Sequence, residues 1–158
     1  MNSNLPLLLA ASIGVIAGLR SLTAPAVVAW AARLGWLNLA GSSLAWIGST
    51  GAVIAFTLAA LSELIADQLP KTPARTQPVP LAARIVMGGL SGACLCAAGG
   101  RPAWLGAILG GIGGFAGAFA GYRARVGLVQ ALRVPDAAIA VPEDLVSIGL
   151  GLLLVSRL

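Results

Sequence analysis

The sequence predicts an all-α protein, a polytopic membrane bundle of about five hydrophobic helices in a single domain over residues 1–158. Of the 158 residues, 58% are hydrophobic and only 9% are charged, whereas a soluble domain carries about 25% charged residues. Short polar breaks separate five apolar stretches, and a helix needs about 20 apolar residues to span a bilayer. The predicted segments are 5–30, 44–65, 81–98, 103–122 and 142–158.

The first segment contains a single charge, Arg20. A cation at membrane depth costs roughly 3 kcal/mol, so it normally faces a protein interior or a watery cavity. Two courses fit this segment. It is one long tilted helix kinked at Pro25, or a helix to about Gly18, a break, and a short helix with Pro25 in its first turn and Thr23 as its cap. We favour the broken course, because helix-breaking prolines at membrane depth often accompany cavities.

The second segment ends in two acidic residues, and a proline-rich linker over residues 70–80 follows it. Glu63 and Asp67 share one helix face, where like charges repel, and they lie at the helix C-terminus, where the dipole disfavours anions. A nearby cation is therefore expected, either a bound proton, Na⁺ or Mg²⁺ or a basic side chain on the same side. The candidate side chains are Lys71, Arg84, Arg123 and Arg125.

The third and fourth segments are rich in glycine, which allows helix backbones to approach closely. We expect them to form an antiparallel hairpin with close backbone contact. Packing between two protomers, or a smooth pore wall, is the alternative use of these glycines. We also expect the chain to self-associate as a homo-oligomer. Cys94 and Cys96 point about 200° apart on a helix, which predicts small packing residues rather than a disulfide or a metal site. The glycines of the predicted stripe are Gly106, Gly110, Gly113, Gly117 and Gly121, with Gly88, Gly89 and Gly92 in the third segment.

In the fifth segment, Glu143 and Asp144 directly follow Pro142. Residues after such a proline occupy the first turn of a helix, where the dipole favours anions, so capping explains this pair. A weak internal similarity relates Ala17-Gly18-Leu19-Arg20 (17–20) to Ala120-Gly121-Tyr122-Arg123 (120–123). With the third segment as connector, it is compatible with an inverted repeat, an arrangement common in transporters.

The distribution of basic residues predicts the orientation. Six lie in or beside the connections between segments 2 and 3 and between segments 4 and 5, against three on the other side. By the positive-inside rule those two connections face the cytoplasm, with the N-terminus cytoplasmic and the C-terminus outside. The tryptophans then form an aromatic belt at the outer interface: Trp30, Trp36, Trp46 and Trp104.

Several function classes are disfavoured. The chain has no histidine, which removes histidine-based acid–base catalysis, most zinc sites and axial histidine ligation of haem. We therefore expect no cofactor and lean against an enzyme. The basic residues are scattered through loops and helix ends, so no nucleic-acid partner is expected, and membrane lipids are the expected surroundings.

The chain resembles an uncharacterised family of small bacterial integral membrane proteins, known as a domain of unknown function. The resemblance rests on Gly18-Leu19-Arg20, on Glu63-x-x-x-Asp67-x-x-Pro70-Lys71-x-Pro73, on Arg84 and on the glycine-rich fourth segment. It implies a bacterial inner-membrane location and no assigned activity.

The residues themselves favour a transporter or channel for a small solute or ion. The alternatives are a structural or accessory subunit that uses its glycine faces for partner helices, and a lipid-modifying enzyme with Glu63 and Asp67 as metal-binding carboxylates. The predicted ligand- or ion-binding residues are Arg20, Glu63, Asp67, Lys71, Arg84 and Arg123.

Overall fold

A computed structural model describes residues 4–66, 76–133 and 135–158. Within these ranges the chain forms six α-helices and one 3-10 helix, with no strand. The all-α prediction is confirmed, but the count of five is not exact because the first segment forms two helices. The helices are α1 (Leu5–Leu19), α2 (Thr23–Arg33), a 3-10 helix (Ala45–Gly48), α3 (Thr50–Ala66), α4 (Pro78–Ala98), α5 (Ala103–Leu132) and α6 (Asp136–Val155).

Helices α4 and α5 form an antiparallel pair whose backbones touch at glycines. A Cβ added to Gly92 would overlap the carbonyl of Gly106, and one added to Gly110 would overlap the carbonyl of Gly88. The turn between the helices is closed by Gly100, which has a positive φ of 69° that favours glycine. Small residues therefore set the separation of these two helices.

Helix α1 packs into the same core and runs parallel to α5. Gly14 contacts Gly110, and Gly18 contacts Gly117 further along α5. Gly113 and Gly117 face α1 rather than α4, so α5 presents glycine to two neighbours. The inverted repeat is wrong, because it requires the first and fourth segments to run in opposite directions.

Helix α2 turns back beside α1, so the two form a hairpin. At its start, the backbone N–H of Leu22 donates to Glu63 of α3, and one turn before its end Trp30 donates to Thr57 of α3 at 3.0 Å. Helices α2 and α3 are thus antiparallel. The hairpin is broken at residues 20–22, here called the tip, as the favoured course of the first segment predicted.

The bundle has two distinct ends. At the linker end, α3 and α5 stop and α4 and α6 start. At the tryptophan end lie the α4–α5 turn and the four tryptophans, each with about half of its surface exposed. Pro6 of α1 lies at the tryptophan end, because its carbonyl accepts from the thiol of Cys96 and its ring contacts Gly99.

Helix α6 runs from the linker end to the tryptophan end, because Asp144 contacts Arg20 and Gly151 lies against Val27 of α2. The start of α1 and the end of α6 therefore lie on the same side of the bundle. The prediction of an N-terminus on the side of the 70–80 linker is wrong in this respect. That prediction treated the first segment as a single crossing of the membrane, whereas α1 and α2 form a hairpin that begins and ends on the same side of the bundle.

Three helices of the described chain are long and apolar enough to cross a membrane. They are α4, α5 and residues 138–155 of α6. Helices α1 and α3 are apolar but shorter, and the 15 residues of α1 reach roughly 22 Å. A bilayer core is about 30 Å thick, so the α1–α2 hairpin has the dimensions of a re-entrant element. These apolar helices indicate a membrane protein.

Three predicted boundaries are wrong by six residues or more. Helix α3 begins at Thr50, after the separate 3-10 helix, and not at residue 44. Helix α5 continues unbroken for 30 residues to Leu132 instead of ending at Tyr122, because Arg123 and Arg125 interrupt its apolar pattern without breaking its helix. Helix α6 begins at Asp136, and Pro142 lies inside it. The following Glu143 and Asp144 are therefore in the body of the helix, and capping does not explain them.

Candidate functional site

The most polar buried region of the described chain surrounds the tip. Arg20 ends α1 in an extended conformation, with φ −140° and ψ 106°, and α2 starts three residues later. The backbone N–H groups of Ser21 and Leu22 have no helical partner, whereas the N–H of Arg20 still donates to the carbonyl of Ile16. The break is removed from solvent, because Arg20 is fully buried and Ser21 is 7% exposed. In a membrane such groups must be satisfied by protein.

Glu63 of α3 satisfies the donors of the tip. One carboxylate oxygen accepts from the backbone N–H of Ser21 at 2.9 Å and from its hydroxyl at 2.6 Å. The other accepts from the backbone N–H of Leu22 at 2.8 Å. The carboxylate thus caps the N-terminus of α2, where the helix dipole favours an anion. Thr23, predicted as the cap, is the first helical residue instead.

Arg84 of α4 satisfies acceptors on the other side of the break. Its Nε donates to the carbonyl of Gly18 at 3.1 Å, and its Nη1 donates to the carbonyl of Pro80 at 3.1 Å. Its Nη2 lies 3.8 Å from the Glu63 carboxylate. Among the described residues, Arg84 therefore supplies the positive charge beside Glu63. Arg84 is buried, with 5% of its surface exposed.

Arg20 pairs with Asp144 of α6. Its Nη2 lies 2.5 Å from Oδ1 of Asp144, and the side chain of Asp144 is 12% exposed. Two opposite charges attract each other more strongly inside a protein than in water. The charge of Arg20 is thereby neutralised inside the bundle, and α6 is joined to the tip.

The tip therefore collects two cations and two anions from four parts of the chain. Arg20 comes from the hairpin, Glu63 from α3, Arg84 from α4 and Asp144 from α6. Their formal charges cancel. Two further buried hydroxyls, those of Ser91 on α4 and Ser147 on α6, have no hydrogen-bond partner among the described residues.

The remaining predicted residues lie elsewhere. Arg123 is exposed on α5 and is not part of the tip. Its neighbour Arg125 pairs with Glu143 of α6, with 3.5 Å between Nη1 and Oε2. Asp67 and Lys71 lie outside the described residues.

The level of the tip follows from its contacts with α5. Tryptophan and tyrosine favour membrane interfaces, and α5 carries one exposed residue of each type, Trp104 and Tyr122, which are roughly 27 Å apart. Gly18 contacts Gly117 and Ala118, so the tip lies inside this layer but nearer to the linker end than to its middle. The sequence suggested that Arg20 lies at mid-depth of a spanning helix. The structure places it nearer to the linker end.

Sequence reasoning missed Asp144 and Ser21 as members of this cluster. Asp144 was assigned to a helix start because a proline precedes its neighbour, and Ser21 carried no signal of its own. One signal was available for Asp144. An acid in an otherwise apolar span needs a partner, and Arg20 and Arg84 were the single charges of two other apolar segments.

The donors around Glu63 limit its chemistry. Both of its oxygens accept from N–H or O–H groups, whereas a metal ligand must direct a lone pair at the ion. Among the described residues, no group of three or more acidic or cysteine side chains is arranged to hold a metal.

The comparisons with known proteins agree with the predicted resemblance. The family model described as Domain of unknown function (DUF4126) matches residues 7–156, almost the whole chain. No curated protein and no solved structure matches the chain.

Proposed function

Because this chain belongs to the DUF4126 family, for which no function is assigned, we propose its function from its own geometry: it conducts or transports a small solute or ion across a membrane, through a site at the tip. The observation that carries this proposal is the non-helical backbone of residues 20–22, which lies within an apolar bundle beside four charged side chains, three of them buried and one, Glu63, partly buried.

Broken helices support transport for a physical reason. Irregular backbone at membrane depth is tolerated where it is enclosed by protein or lines a cavity. In transporters, the N-termini of half-helices point at anionic groups of the substrate. Here the N-terminus of α2 points at the Glu63 carboxylate. An ion, a proton or an anionic group that enters the tip would exchange with one of these internal partners.

The proposed location is the inner membrane of a bacterium, with the linker end in the cytoplasm. This orientation rests on the six basic residues assigned to that end, against three at the tryptophan end. Since α1 begins at the tryptophan end, the N-terminus then lies outside rather than in the cytoplasm.

The two alternatives draw less support from the geometry. The glycine faces that would serve an accessory subunit are used inside the chain, between α5 and its neighbours α1 and α4. Self-association would have to use other surfaces. A lipid-modifying enzyme would need Glu63 as a metal ligand, and its oxygens are occupied by donors.

Reconstitution tests the proposal. Proteoliposomes that contain the purified protein are assayed for the flux of protons, K⁺, Cl⁻ and glycerol, each against protein-free vesicles. We expect at least one flux to rise tenfold or more. Glu63→Gln should reduce that flux at least tenfold, because it removes the charge at the N-terminus of α2.

Arg157→Gln is the matched control, since it removes an exposed charge at the tryptophan end and should leave the flux unchanged. Circular dichroism and gel filtration establish that each variant is folded. If the folded parent raises none of the four fluxes, or if Glu63→Gln conducts as well as the parent, the tip is not a transport site for these solutes.

A further inference from the structure

Helices α2 and α3 enclose an apolar groove, here called the α2–α3 groove. It consists of an outer cavity of about 330 Å³ toward the tryptophan end and an inner cavity of about 210 Å³ nearer the linker end. Trp30 and Thr57, which are hydrogen-bonded to each other, line both cavities, so the two meet at this pair. Ile148 and Leu152 of α6 form a third wall of the inner cavity. The inner half of the groove is therefore bounded by three helices.

The groove runs inward from the tryptophan end. Along α3 its lining extends from Thr50 to Leu64, over roughly 21 Å, which is more than half the thickness of a bilayer core of about 30 Å. Its aliphatic walls are open to the surroundings of the bundle, because Leu58 and Leu61 are 59% and 51% exposed. In a bilayer, hydrocarbon fills such a groove, because a polar occupant would leave its own hydrogen bonds unmade.

Arg33 lies at the outer mouth of the α2–α3 groove. It is the last residue of α2, it lines the outer cavity, and it is exposed. It also lines a neighbouring, more polar cavity of about 540 Å³ between the end of α2 and the 3-10 helix. Arg33 makes no ion pair with a described residue. Its guanidinium is therefore open to an anion from outside the chain.

The order of these features across the membrane is that of a phospholipid. The half-exposed Trp30 marks the interface one turn inside Arg33, and the apolar walls around Leu58 lie deeper than both. The more polar cavity lies beyond the interface and is lined by Asn38 as well as Arg33. The Oδ1 of Asn38 accepts from the backbone N–H of Ala40 at 3.1 Å, which leaves the amide NH₂ group of Asn38 as a donor.

We propose that the α2–α3 groove binds one anionic phospholipid, with its phosphate at Arg33 and Asn38 and one acyl chain along the groove toward Leu64. A guanidinium suits this role because its N–H groups match the geometry of phosphate oxygens. The acyl chain passes the Trp30–Thr57 pair and ends between α3 and α6. This inference does not depend on the proposed transport function.

The charges of the tryptophan end favour an anionic lipid over other occupants. Every described charged side chain at that end is basic, whereas the described acidic side chains lie at the linker end. The ammonium group of a zwitterionic lipid would thus have no carboxylate side chain beside it. A second copy of this chain in the same orientation would bring no acidic side chain to the level of Arg33. Free phosphate would leave the apolar groove unfilled.

Native mass spectrometry tests the proposal directly. The protein is released from micelles that contain equimolar dioleoyl phosphatidylglycerol and dioleoyl phosphatidylcholine, and the retained lipid is counted. We expect one phosphatidylglycerol per protein, favoured at least fivefold over phosphatidylcholine. Inorganic phosphate at the same concentration should not displace the lipid, because the groove also holds its acyl chain.

Two pairs of matched variants address the two halves of the site. Arg33→Gln should reduce the preference for phosphatidylglycerol to below twofold, whereas Arg157→Gln removes an exposed charge at the same end, away from the groove, and should keep the preference of the parent. Ala60→Phe fills the inner cavity and should reduce the retention of both lipids at least fivefold. Ala55→Phe makes the same change at an exposed position of α3 outside the groove and should retain the lipid.

Three results would overturn the proposal: equal retention of the two lipids by the parent, an equal loss of preference in Arg33→Gln and Arg157→Gln, or full retention by Ala60→Phe. Because Arg33 is exposed, its substitution should fold, and the comparison of the two arginine variants holds even if Ala60→Phe does not fold. The melting temperature in detergent provides a second reading. Phosphatidylglycerol should raise it for the parent and for Ala55→Phe, and leave it unchanged for Ala60→Phe.

Discussion

The two halves of this bundle are held together in opposite ways. In the core of α1, α4 and α5, helices touch backbone to backbone at glycines, with almost no side chain between them. Around the tip, α3 and α6 contact the hairpin and α4 through charged side chains, whereas α2 also packs apolar residues such as Val28 into the core. Helix α3 shows the contrast: Val53 is its only residue classed as buried, yet its Glu63 makes three hydrogen bonds to the tip.

The difference reflects what a bilayer offers. Lipid chains are as apolar as leucine, so helices associate by close packing or by polar bonds rather than by a hydrophobic driving force. In the core the helices pack closely, so a larger side chain at a contact cannot be accommodated. The tip uses polar bonds, which tolerate a change of shape but not the loss of a partner. The tip is thus the half of the molecule in which an exchange of partners is feasible.

The largest effect is expected in the core. Gly110 lies where α5 meets both α1 and α4, so Gly110→Leu places a side chain against backbone on two sides. We expect a loss of about 3 kcal/mol or more of unfolding free energy, or no folded protein. Gly127→Leu is the control in the same helix, because nothing lies within 4 Å of that position. Titration with a denaturing detergent measures both, and equal stability of the two variants would refute the close packing.

The next effect concerns the buried ion pair. Asp144→Ala leaves the Arg20 charge without this partner, which should cost about 3–5 kcal/mol of unfolding free energy. The double variant Arg20→Met with Asp144→Leu should return to within about 1 kcal/mol of the parent, since a buried pair can be replaced by apolar residues at little cost. A thermodynamic cycle over the parent, Arg20→Met, Asp144→Leu and the double variant measures the coupling. Additive losses would mean that the pair does not interact.

A smaller effect is expected at the cap of α2. Glu63→Gln replaces one acceptor oxygen by an amide that faces N–H donors, so a buried donor loses its partner at a cost of about 1–3 kcal/mol. Ser62→Ala is the neighbouring control, because the Ser62 hydroxyl only bonds within its own helix, to Leu58. Both are measured by detergent unfolding. A loss for Glu63→Gln no greater than that for Ser62→Ala would contradict the cap.

The smallest effect is expected for Ser21→Ala. It removes one of the three donors to Glu63 and leaves both backbone donors in place. The expected loss is about 1 kcal/mol of unfolding free energy. Ser156→Ala removes a comparable hydroxyl at an exposed position and should change the stability less. If the order of these two is reversed, the serine hydroxyl does not contribute to the tip.

The sequence predicted those features that depend on local composition. Apolar length indicated the helices, and Pro25 with the isolated Arg20 indicated the break. The sequence-based prediction failed where the outcome depended on the direction in which a helix runs through the bundle. A hydropathy pattern is the same whether a segment crosses or returns, so the hairpin, the side of the N-terminus and the orientation of α1 relative to α5 were beyond its reach.

The partners of the site were predictable only in part. The conflict at Glu63, an anion at the end of its own helix, correctly required a positive environment, and the structure places the N-terminus of α2 and Arg84 there. The pattern did not reveal that one of those positive groups was a helix dipole. Pro142 misled the assignment of Asp144, because a proline inside a membrane helix resembles one at a helix start.

The hairpin has a consequence for how the chain is made. Arg20 and the open backbone at residues 20–22 leave the ribosome before the residues that neutralise them, since Glu63, Arg84 and Asp144 belong to later helices. The hairpin therefore acquires its full set of partners only after α6 has been synthesised, so an element that is translated early is completed late.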